Sequence, residues 1–135
     1  AHDAYISLVS LPFPPQEKIF SKNHAIAGID QLKKSNTCFD PGKTIWLGHD
    51  RITGAAAIEA AEIAGGRSAL IHHMSYADYE SYAENSHTAY KKQQEQIALF
   101  RQADIALAIG PLLRCLLYTY PSPRDRTRSS MPSSA

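Results

Sequence analysis

The chain has 135 residues, 44% of them apolar and 20% charged, a balance that suits one globular domain with a modest core. No apolar run approaches the roughly 20 residues of a membrane span, and no basic-then-apolar signal segment is present; the expected location is the cytoplasm, with any membrane contact peripheral. The net charge of +1 arises at the end of the chain, because residues 1–114 hold 11 Lys/Arg against 12 Asp/Glu, which excludes a basic footprint for nucleic acid.

Tyr5-Ile-Ser-Leu-Val-Ser-Leu11 alternates and is rich in strand formers, predicting a β-strand. Pro12, Pro14 and Pro15 end it, because proline lacks the ladder donor and restricts the residue before it. Ile26, Ile29 and Leu32 have near-helical spacing and predict a short helix over 24–34, and Asp40-Pro-Gly42 predicts a turn. Cys38 reads as a buried or loop thiol, since Cys38 and Cys115 make a poor disulfide signal in such a chain.

Ile45-Trp-Leu47 is a buried strand, and Gly48 lets the backbone turn sharply where it ends. A helix is expected from Ile52 or Thr53, with Thr53 as its cap. Ala55, Ala56, Ala57, Ala60, Ala61 and Ala64 raise its helix propensity and keep it thin enough to lie close to a sheet. Ile52, Ile58 and Ile63 supply larger apolar contacts, while Glu59 and Glu62 stay in water. Gly65-Gly66 closes the helix in the left-handed conformation, and Ser68–Ile71 is a second strand, parallel to the first through a right-handed crossover.

Tyr76, Tyr79 and Tyr82 share one face if that region is helical, and read as packing rather than a platform for sugar stacking. Residues 88–103 form an amphipathic helix with Ile97, Phe100 and Ala103 inward and Lys91, Lys92, Gln93 and Glu95 outward. Asp104–Gly110 is another buried strand, and Pro111 opens a helix through Arg114. The fold class is therefore α/β: a Rossmann-like parallel sheet with flanking helices over residues 1–114.

Two strands thus end in histidine: His49-Asp50 after the first, His72-His73 after the second. In a parallel sheet consecutive strand exits lie on one edge, where such folds bind ligands. Asp50 either serves that edge or caps the next helix, and His49 either serves it or donates to a carbonyl in the turn. His2, His24 and His87 read as surface residues.

Residues 115–135, CLLYTYPSPRDRTRSSMPSSA, have no apolar periodicity. They resemble the translation of sequencing-adapter DNA. The transposase-end sequence encodes Cys115 to Asp125 with one mismatch, at Tyr120, and a further adapter segment encodes Ser129 to Ala135 with one, at Ser130. The expectation is an artefactual disordered tail without function. With Ala rather than Met at position 1, a fragment or processed chain is expected.

The stretch 44–114 resembles the N-terminal domain of retaining, nucleotide-sugar-dependent glycosyltransferases with two Rossmann domains (the GT-B kind), glycosyltransferase family 4. The matching residues are His49-Asp50 with Thr53-Gly54 opening an Ala-rich helix, His72 at the next strand exit, and Phe100-Arg-Gln-Ala-Asp104 leading into Ile105–Arg114. The resemblance implies transfer of a sugar from a nucleotide-diphosphate sugar, the co-substrate, to a hydroxyl of a sugar or glycan acceptor, without an obligatory metal or other cofactor. It implies that this domain holds the acceptor and that a C-terminal domain, absent here, holds the nucleotide sugar, so that the fragment alone is inactive. His72 matches the histidine that faces the reacting sugar, and is the expected catalytic residue. His49, Asp50, Thr53, Gly54 and His73 are the expected substrate-binding residues. The family's glycine-rich loop after its first strand has no counterpart in this chain, and segment 16–43 either forms an acceptor-side loop or covers the core.

Two other readings are open on the residues alone. His49, Asp50, His72 and His73 can be taken as divalent-metal ligands of a metal-dependent hydrolase, although no closely spaced ligand run is present. The chain can also be a non-catalytic α/β binding domain.

Overall fold

A computed structural model describes residues 6, 8–14, 16–76 and 86–118. Its elements, in chain order, are α1 (Lys22–Lys34), a 3-10 turn (Pro41–Lys43), β1 (Ile45–His49), α2 (Asp50–Ala64), β2 (Arg67–His72), α3 (Ser86–Gln102), β3 (Ile105–Ala108) and α4 (Pro111–Tyr118). The three strands form one parallel sheet in the order β1-β2-β3. This is a Rossmann-like α/β arrangement, and its register places Gly48 opposite Leu70, His49 opposite Ile71, and His72 opposite Ala108. None of the described helices is long and apolar enough to cross a membrane.

The core forms where α2 and α3 meet one face of the sheet. Leu70 is fully buried at its centre, with Ala57, Ile58, Phe100 and Ala103 around it and Trp46, Ile97 and Leu99 packed against them. Burying a side chain such as Leu70 stabilises the fold by about 1.5–3 kcal/mol. α1 packs against α2 through Ala25, Ile29 and Ala60, with Trp46 of β1 beside them, so segment 16–43 supplies a helix that covers the core.

The thin alanine helix lies on the sheet as expected, but of its three isoleucines only Ile58 is buried; Ile52 and Ile63 are 37% and 46% exposed. Close approach is made instead by glycine. A Cβ on Gly48 would lie 2.8 Å from Gly54 Cα and 2.9 Å from Leu70 Cδ2, so Gly48, which sits inside β1, is a packing position rather than a sharp turn. The sharp turn falls on Asp50, whose φ is +48°; Asp tolerates the left-handed region better than most side chains. α2 therefore starts at Asp50, with His49 as its N-cap residue, and not at Thr53. At its other end Gly65 and Gly66 take φ values of +79° and +101°, as expected, and a Cβ on Gly66 would meet the Thr44 carbonyl oxygen at 2.8 Å.

Residues 6 and 8–11, expected as a strand, are irregular, with Ile6 and Leu8 almost fully exposed. Alternation describes a strand only where a neighbour pairs with it, and β1 pairs on its described side with β2. Asp40 shapes the turn before β1 as expected, accepting from the Gly42 N–H at 2.8 Å. Cys38 is an exposed loop thiol. Residues 79 and 82, with their tyrosines, lie outside the described residues, and α4 continues past Arg114 to Tyr118.

Candidate active site

The exits of β1 and β2 lie side by side because the strands are parallel neighbours in register. Their four expected site residues separate into two pairs. Asp50 and His72 are buried, at 3% and 0% exposure, with Asp50 Oδ2 3.3 Å from His72 Nδ1. His49 and His73 are exposed, their rings stacked at 4.9 Å with an interplanar angle of 21°. His49 Nδ1 lies 2.7 Å from His73 Nε2, so one nitrogen of this contact carries the proton and the other accepts it.

Asp50 joins the pairs. Its Oδ2 also accepts from the His73 backbone N–H at 3.0 Å, and its Oδ1 accepts from the Arg51 N–H at 3.1 Å and from the Gln96 side chain. The carboxylate thus bonds to α2, β2 with the residue after it, and α3. Burial alone would raise its pKa, but hydrogen bonds from His72, Gln96 and the His73 backbone, with the charge of His72, outweigh burial and hold it below the ordinary carboxylate range. Phe100 meets the His72 ring edge-on at 5.2 Å, which closes the buried pair on its apolar side.

Thr53 and Gly54 serve the same exit in different ways. The Thr53 hydroxyl accepts from the His49 backbone N–H at 2.6 Å, holding the β1 exit against the first turn of α2. Gly54 is buried, with room only for the side chains of Leu70 and Leu99 beside it. His24, read as a surface residue, is 4% exposed. It lies between the rings of Phe13 and Phe20, takes the Ser21 N–H on Nδ1 at 3.1 Å and places Nε2 2.8 Å from Glu17. It belongs to the start of α1 and lines the same depression as Thr53.

Sequence reasoning missed Gln96, which is fully buried. Its Nε2 donates to Asp50 Oδ1 and, at 2.9 Å, to the Met74 carbonyl oxygen, and lies 3.1 Å from His72 Nδ1. A signal was present: Gln96 falls on the same helical stripe as Ala89, Phe100 and Ala103, all buried. A polar residue on the apolar stripe of an amphipathic helix must find buried partners. Arg51, beside Asp50, pairs with Glu95 at 3.2 Å and lies over the Tyr76 ring at 5.4 Å.

Among the described residues, no group of three or more His, Cys, Asp or Glu side chains is arranged to hold a metal ion. His49, Asp50, His72 and His73 do not converge on one point, because Asp50 and His72 face each other inside the core while His49 and His73 face each other outside it. A depression of about 300 Å3 between α1, α2 and β1 is lined by apolar residues such as Phe20, Ile29 and Leu32 together with Thr53, and contains none of these four.

No curated protein and no solved structure matches the chain. A family model described as family 4 glycosyltransferase in conflict systems matches residues 1–126. A parallel sheet with two histidine-bearing strand exits joined through one carboxylate is thus found in a chain that belongs to the family 4 glycosyltransferases.

Proposed function

We propose that this chain is the acceptor-side half of a retaining glycosyltransferase of the two-Rossmann-domain kind. It transfers a sugar from a nucleotide-diphosphate sugar to an acceptor hydroxyl in the cytoplasm, and turns over only with a donor-binding domain. The observation that carries this reading is the meeting of His49, Asp50, His72 and His73 at two adjacent parallel strand exits in a glycosyltransferase chain. The exposed rings of His49 and His73 are the groups that substrate can reach. Each offers a ring nitrogen to a sugar hydroxyl, at the edge where α/β folds bind ligands.

His72 was expected to face the reacting sugar directly. Its complete burial makes it a positioning group in this reading, acting through Asp50 on the stance of His73. Whether the transferred anomeric centre keeps its configuration follows from the donor half, so the direct test uses a protein joining this chain to that half. Incubated with nucleotide-diphosphate sugars and sugar acceptors, it should form a glycosidic product with the donor's anomeric configuration. An inverted product, or none with any pair while both halves are folded, overturns the proposal.

A further inference from the structure

Gln96 stands outside every expectation drawn from the sequence, and its amide solves a donor–acceptor problem that the strand exits pose. Three polar atoms lie within reach of its Nε2: Asp50 Oδ1, Met74 O and His72 Nδ1. An amide nitrogen has two hydrogens. Asp50 Oδ1 and the Met74 oxygen can only accept, so they take both, which also fixes the orientation of the amide. His72 Nδ1 then receives no hydrogen from Gln96 and carries its own, donated to Asp50 Oδ2 across 3.3 Å. When the His72 ring carries a single hydrogen it is therefore the Nδ1–H tautomer, with its accepting lone pair on Nε2.

A second observation separates this role from plain packing. The other end of the amide, Oε1, is buried and has no hydrogen-bond partner among the described residues. A buried acceptor left without a partner costs stability, and a methionine of similar length would fill the space without that cost. What the amide adds is its two donors.

We propose that Gln96 is a positioning residue of the strand-exit site. It holds the Asp50 carboxylate in the orientation that receives both the His73 N–H and the His72 Nδ1–H, and so sets the tautomer of His72 and the stance of His73. The proposal rests on the reading of these exits as the substrate edge, and its test is chosen to fail separately from that reading.

The test is nitrogen NMR of the histidine rings in the 135-residue chain, with no sugar substrate added. In the unmodified protein His72 should show a pyrrole-type Nδ1 and a pyridine-type Nε2, and both Gln96 side-chain amide hydrogens should resist solvent exchange. In Gln96→Met the His72 nitrogens should move toward the averaged values of an exchanging ring, and the His73 backbone amide should shift. A pyridine-type Nδ1 in the unmodified protein, or an unchanged ring pattern in folded Gln96→Met, overturns the proposal. Should Gln96→Met fail to fold, exchange of the amide hydrogens in the unmodified protein still decides, since one fast-exchanging hydrogen means that one of the two donated bonds, to Asp50 or to Met74, is not made. In the protein carrying both halves, Gln96→Met should lower kcat by roughly tenfold to a hundredfold with KM much less affected. Loss of sugar transfer from the site reading would leave the ring pattern as described, so the two failures are distinguishable.

Discussion

The His73 backbone N–H bonds to Oδ2 of Asp50 at 3.0 Å, tying the residue after β2 to the first residue of α2. Asp50 holds a left-handed backbone conformation while its carboxylate takes four hydrogen bonds inside the core. Strain of this kind persists where the surroundings over-determine it, and here the surroundings are the exits of two strands and the buried face of a third element.

Asp50→Asn should therefore destabilise the chain by about 2–3 kcal/mol at neutral pH, because an amide nitrogen would oppose donors that now meet a carboxylate. The pH dependence has a definite sign. The Asp50 pKa is lowered by folding, so its ionised form adds stability that is fully present above the unfolded value of about 3.9 and is lost as pH falls through the folded value. Urea denaturation from pH 7 downward should show the gap between the parent chain and Asp50→Asn narrowing only in that acid range. A gap that closes near pH 6 would assign it to a histidine instead.

Gly48→Ala should cost about 1–3 kcal/mol, the usual penalty of overpacking. The added methyl would press on the Cα of Gly54 and on Leu70, and backbone cannot swing aside as a flexible side chain can. The matching control is Gly42→Ala, whose nearest neighbour would be the Asp40 carboxylate at 3.3 Å on an exposed turn; its melting temperature should change much less.

The two histidine pairs should separate in a joint measurement of stability and turnover. His72→Ala removes a fully buried ring that packs on Phe100 and bonds to Asp50, so it should lower stability by about 2–4 kcal/mol along with activity. His73→Ala removes an exposed ring and should leave stability within about 0.5 kcal/mol while turnover in the two-half protein falls at least tenfold. Full turnover in His73→Ala would take the exposed pair out of the substrate edge.

The adapter-derived reading of residues 115–135 leads to a simple truncation. Ending the chain after Tyr118 keeps the whole of α4 and should leave the melting temperature within about 2 °C. A fall of several degrees would show that the removed residues stabilise the fold and are not a foreign tail.

Much of this architecture was legible from periodicity. The strand at 45–49, the alanine helix, the strand at 67–72, the amphipathic helix and the strand from 105 all carry patterns that local sequence imposes. Strand exits could be named because histidines stood where apolar runs stopped. What could not be read were choices made by packing. Gly48 looks like a turn in one dimension and is a contact in three. Thr53 looks like a cap, yet the helix starts at Asp50, because the carboxylate finds partners from β2 and α3 that sequence neighbours do not reveal. Gln96 escaped because it ends a polar run, Lys91 to Gln96, in the sequence, and only the helical stripe separates it from the rest of that run.

Trp46, the chain's single tryptophan, donates its indole N–H to the Gly65 carbonyl oxygen at 2.7 Å. That bond ties the start of β1 to the end of α2, at the opposite end of the unit from His49. Its fluorescence is consequently a built-in gauge of whether helix and strand remain docked, insensitive to chemistry at the strand exits. Ligand binding at the histidines should leave the emission maximum in place, whereas undocking of α2 should move it to the red, so one optical signal can tell a vacated site from a loosened scaffold.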